Sequence, residues 1–169
     1  MQNQNVIPLH QGRDALLDHD QTELADLFET LPLPERSPEG PWHGTLMAIT
    51  GLQRLPRGLR AGLARVLDTP VNPWRGKTFD GDRGSNLWLP GLNRHFAHYR
   101  VEQRDSPVDG RPVLWLDYDE ADNPRPVRGI RGEARWLRTG VLLCRMNRQD
   151  RGGRLHTLLY FTLSRPDHG

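Results

Sequence analysis

From residue 74 to residue 163 the chain is a succession of short apolar runs with a two-residue period. The runs span 74–79, 85–89, 95–102, 112–118, 128–138, 141–146 and 155–163, and each stops at glycine, proline or an acidic turn. Short strands at this spacing make a sandwich or a barrel. The tight loops favour a meander, and a meander loses its exposed edges by closing on itself. The stretch 40–49, Gly-Pro-Trp-His-Gly-Thr-Leu-Met-Ala-Ile, supplies the first strand. The expected fold is therefore mainly β: a small antiparallel up-and-down barrel of about eight strands.

The chain before this barrel has another character. Asp20 precedes an apolar i, i+3, i+4 stripe of Leu24, Leu27 and Phe28, with Glu23 three residues after Asp20. That is the pattern of a capped short helix, which we expect to lie on the domain with this stripe down. Leu31-Pro32-Leu33-Pro34 then opens an extended proline-rich linker. We divide the chain into an arm, 1–38, and a barrel domain, 39–166. Between the first two strands, Leu59, Leu63, Val66 and Leu67 form a second helical stripe with arginines opposite and Pro56 at its start. A helix there would cap one mouth of the barrel.

Composition narrows the function. The net charge is only +2, and all but one of the 23 basic residues are arginine, spread among 21 acids. A nucleic-acid surface needs its cations clustered, so no nucleic-acid partner is expected. No apolar run approaches the roughly 18 residues of a membrane helix, and residues 1–8 lack the pattern of a signal peptide. A single cysteine, Cys144, excludes an internal disulfide and suits a reducing compartment. We expect a cytoplasmic protein of bacterial type.

The one lysine, Lys77, alternates with Arg75 and Phe79 along its run. Pointed inward it would be a buried cation in need of an anion. Arg145 follows Val141 and Leu143, Tyr118 follows Leu114 and Leu116, and Tyr160 shares a face with His156 and Leu158. An arginine and tyrosines inside a barrel can hold a carboxylate through charge-assisted bonds. Lys77, Phe79, Tyr118, Arg145 and Tyr160 are therefore the candidate ligand-binding residues. In each case a solvated cation or a core aromatic is the blander role.

No metal or cofactor is expected. The scattered histidines make no zinc spacing, and His95 and His98 would face opposite ways on a strand. A lone His156 or His95 could at most ligate haem. Gly81-Asp82-Arg83-Gly84 is a hairpin turn rather than a phosphate loop. The acids from Asp117 to Asp122 crowd another turn. An enzyme would use Asp119 or His95 there as a base.

Three segments resemble one family. Leu27 to Pro32 leads into Gly40-Pro41-Trp42-His43-Gly44, Trp74-Arg75-Gly76-Lys77-Thr78-Phe79 follows, and the chain ends in Tyr160-Phe161-Thr162-Leu163-Ser164-Arg165. These look like the GXWXG proteins with the C-terminal domain of unknown function usually joined to them, over roughly residues 24–166. The resemblance implies a calycin-like barrel and no settled activity. In lipocalin-like barrels a Gly-x-Trp opens the first strand and an arginine near the end of the last covers its indole. Trp42 and Arg165 stand at such places, as a structural closure pair.

The leading expectation is a binding protein that holds a small apolar or amphipathic molecule, acidic at one end and lipid- or isoprenoid-like. The alternatives are a cofactor-independent isomerase, cyclase or hydrolase in the same cavity, and a protein-interaction module. Oligomeric state and ligand identity are not legible in the sequence.

Overall fold

Eight antiparallel strands follow one another in chain order, and the meander closes. The computed structural model describes residues 20–49, 74–88 and 97–166. The strands are β1 (Gly40–Ile49), β2 (Trp74–Asp80), β3 (Arg83–Trp88), β4 (His98–Asp105), β5 (Pro112–Asp117), β6 (Ile130–Arg138), β7 (Val141–Gln149) and β8 (Leu155–Ser164). Each pairs antiparallel with its sequence neighbours, and β1 pairs with β8, so the sheet is a closed up-and-down barrel. The expected helix over 54–67 lies outside the described residues, as does His95.

The barrel has two buried faces. Inside, Trp42, Phe79, Tyr99, Leu116, Tyr118, Cys144, Phe161 and Leu163 belong to one apolar cluster. Outside, Val113, Trp115, Leu143 and Tyr160 form a second cluster with Leu24 and Phe28 of α1 (Gln21–Thr30). The helix starts as its sequence dictates: the Asp20 side chain accepts from the Glu23 N–H, and the Glu23 carboxylate accepts from the Asp20 N–H. Leu24 and Phe28 are completely buried. The linker after the helix is held by Trp136 N–H donating to the Pro32 carbonyl at 2.8 Å.

At one end of the barrel, β1 and β2 come unusually close. A Cβ on Gly76 would lie 1.9 Å from the Trp42 carbonyl oxygen, and one on Gly44 would lie 2.1 Å from the Trp74 ring. Gly76 also sits at φ +138°, in a conformation few side chains adopt. Gly40, at φ +73°, lets the chain turn just before Trp42. Gly44 serves otherwise: it leaves room for the indole of Trp74.

Candidate functional site

The site is built on β2, and a bulge aims it. Pairing between β2 and β3 shifts between Trp74 and Gly76. An extra residue on one strand reverses the facing of what precedes it. Trp74 therefore packs against the interior cluster, edge-on to Phe161 with centroids 5.3 Å apart, while Arg75 is exposed. The simple alternation of Arg75 with Lys77 and Phe79 is thus corrected. Lys77 and Phe79 both point into the barrel.

Lys77 is 0% exposed. Its Nζ donates to Asn86 Oδ1 on β3 at 2.6 Å and is hydrogen-bonded to the hydroxyl of Tyr118, just after β5. The same nitrogen lies 5.0–5.5 Å from the ring centroids of Tyr99, Tyr118 and Phe161. Among the described residues no carboxylate pairs with it. Burial without an anion disfavours the charged form, and the Lys77 amine is lowered to about 7. Burial likewise pushes up the Tyr99 and Tyr118 hydroxyls and the nearby Cys144 thiol, so all three keep their protons at neutral pH. The result is an amine poised between its two forms, surrounded by neutral donors and acceptors.

Arg145 and Tyr160 do not join it. The expectation that they share a cavity with Lys77 is corrected by the facing of β7 and β8. Leu142 and Cys144 belong to the interior cluster, so Arg145 projects to the outer face. A register shift in β7–β8 pairing leaves Leu158 opposite no residue of β7. Leu158 packs inside while Tyr160 packs outside, under α1, so they do not share a face.

What gathers under α1 is a network of compensated charge that sequence reading missed. Arg135 is 0% exposed and uses its guanidinium fully. It makes paired bonds of 2.6 and 2.8 Å to the Asp109 carboxylate and donates to the carbonyls of Phe28, Arg111 and Pro112. Arg145 Nε donates to Glu133 Oε2 at 2.7 Å, and Asn147 donates to the same oxygen at 2.8 Å. Both guanidiniums lie over the Phe28 ring, at 4.7 and 4.5 Å. Although burial opposes ionisation of Asp109, the Arg135 bonds prevail and hold its carboxyl below the usual range. The available signal was the alternation of Glu133 and Arg135 with small residues on a strand paired to that of Arg145.

The remaining candidates are peripheral. The Arg165 guanidinium lies 5.6 Å from the Trp42 ring centroid, and Trp42 is buried edge-on against Phe79. His156 is bonded to Asp150 at 2.8 Å on an outer hairpin, and Asp119 is exposed. Among the described residues no group of His, Cys, Asp and Glu could hold a metal ion. None of the described helices is long and apolar enough to cross a membrane. No family model, curated protein or solved structure matches the chain.

Proposed function

We propose that this barrel is a binding protein for a small apolar molecule whose polar end meets Lys77. The carrying observation is a fully buried amine inside a closed barrel with no acidic partner among the described residues. A buried cation left unpaired costs several kcal/mol, and an incoming carboxylate would relieve that cost. Further support comes from Leu46, Trp74 and Met146, which pack against the interior cluster yet are only partly buried. They offer apolar contact to such a molecule. We also read the chain as a GXWXG-type barrel, because Gly44 and Gly76 are where Trp74 and the Trp42 backbone need them.

The test is binding of a fluorescent fatty acid to wild type and Lys77→Met, with native mass spectrometry of the freshly purified protein. The reading expects a wild-type complex that weakens at least tenfold in the variant. It also expects uptake of close to one proton at pH 8, because the carboxylate turns a mostly neutral amine into an ammonium. Equal affinity in both proteins would remove Lys77 from the site. Absence of binding by either would overturn the carrier reading for acids.

A further inference from the structure

We propose that Lys77 is also a nucleophilic amine that captures apolar aldehydes or ketones as an imine. The inference rests on the carrier reading, since the carbonyl compound must first enter the barrel, but it assigns the same residue a covalent chemistry.

An imine-forming lysine needs an amine that is neutral at working pH, a polar group that handles the oxygen being expelled, and shelter from water. Each need has a counterpart here. Lys77 is 0% exposed. Among the described residues it has no carboxylate to hold it as ammonium, and its lowered affinity for protons agrees with that setting. The Tyr118 hydroxyl is hydrogen-bonded to Nζ, and Asn86 Oδ1 fixes the amine from a second side at 2.6 Å. Tyr118 keeps its proton because it is buried, so it remains available as a donor. The rings of Tyr99 and Phe161 complete an aromatic wall suited to an apolar carbonyl compound and to a developing iminium charge.

The step balances without any oxidant. The Nζ lone pair attacks the carbonyl carbon, a C–N bond forms, and the oxygen becomes the hydroxyl of a carbinolamine after one proton passes from nitrogen to oxygen. Tyr118 relays the second proton, giving its own to the departing oxygen and regaining one from nitrogen. The C–O bond breaks and water leaves. The product is R–CH=N–Lys77 from an aldehyde, plus one water.

Lys77 is the only lysine in the chain, so the experiment is clean. Tetradecanal is incubated with the intact protein, and sodium borohydride reduces any imine to a stable amine. Peptide mass mapping then finds the site, with the α-amine as internal control. Tetradecanol and tetradecanoic acid run in parallel by competition with a fluorescent fatty acid. We expect one adduct per chain at Lys77, dependent on borohydride, with a capture rate that rises through about pH 7 rather than near pH 10. Tyr118→Phe is expected to slow capture at least tenfold, with whatever adduct forms still on Lys77. Competition by the alcohol and acid without any Lys77 adduct would overturn imine capture and leave the carrier reading standing. No competition by any of the three and no adduct would overturn both. An adduct confined to the α-amine would overturn the imine inference.

Discussion

Two buried basic regions stand on opposite sides of one barrel wall. Under α1, Arg135 and Arg145 are surrounded by Asp109, Glu133 and backbone carbonyls. Inside, Lys77 meets an amide oxygen, a phenol and aromatic rings. A compensated guanidinium cross-links: Arg135 ties the end of the helix to the loop before β5 and to the start of β5. An uncompensated amine, though bonded to Asn86 and Tyr118, holds its proton weakly. The difference teaches that full burial of a cation is a structural device when its anion comes with the fold, and a chemical opportunity when it does not.

The largest expected effect breaks the compensated side. Arg135→Met takes the paired guanidinium from the Asp109 carboxylate, leaving it the Arg111 N–H and a more distant Arg145, and leaves the Phe28 carbonyl only the Leu31 N–H. It should cost about 3–5 kcal/mol in urea unfolding, as removal of one buried partner does. A loss below about 1 kcal/mol would show that the network is bystander packing.

Lys77→Met tests the other side with opposite sign. The unfolded chain keeps a proton on this amine up to its ordinary value of 10.5, whereas the folded chain releases it near 7. Between those values the unfolded state binds more protons, so wild-type stability should rise with pH across that window. Below about pH 7 the penalty is constant. Lys77→Met should flatten that rise and be more stable than wild type at pH 6 by roughly 1–3 kcal/mol, less than the full shift because Asn86 and Tyr118 lose their partner. Parallel pH profiles for the two proteins would erase the contrast. The Asp109 carboxyl behaves inversely: its contribution is present above the usual carboxylate range and lost as pH falls through its depressed value.

Smaller effects sharpen the picture. Asp20→Ala removes the reciprocal cap of α1 and should cost about 1 kcal/mol. Thermal melts should show that loss without a change in fatty-acid binding. The smallest term is the exposed cation. Arg165 and Trp42 should couple by about 0.5–1 kcal/mol in a double-mutant cycle, because the Arg165 head stays wet. Strict additivity would leave their approach energetically idle.

The barrel was legible because period two and turn chemistry suffice to define a meander. The boundaries of β1 coincide with the expected 40–49, and the helix cap was written in Asp20 and Glu23. The facing of charged residues was legible only in part. Lys77 and Tyr118 come together as their alternation suggested, but Arg145 and Tyr160 do not. A strand buried on one face declares its orientation. β7 is buried on both, from Val141 to Arg145, so alternation could not say which face was the interior. The bulges in β2 and β8 compounded this, since each shifts facing by one residue without an unmistakable sequence signal.

The close approach of β1 and β2 has a consequence for how such chains can vary. Position 44 is empty because position 74 is an indole, and position 76 is empty because the backbone of position 42 fills its space. Residues thirty apart are thus one steric unit, and neither half can drift alone. Gly44→Ala should be damaging beside Trp74 and far better tolerated once Trp74 is leucine. Across diverged sequences with this barrel, the two segments should be inherited as a pair or lost as a pair, whatever happens to the chain between them.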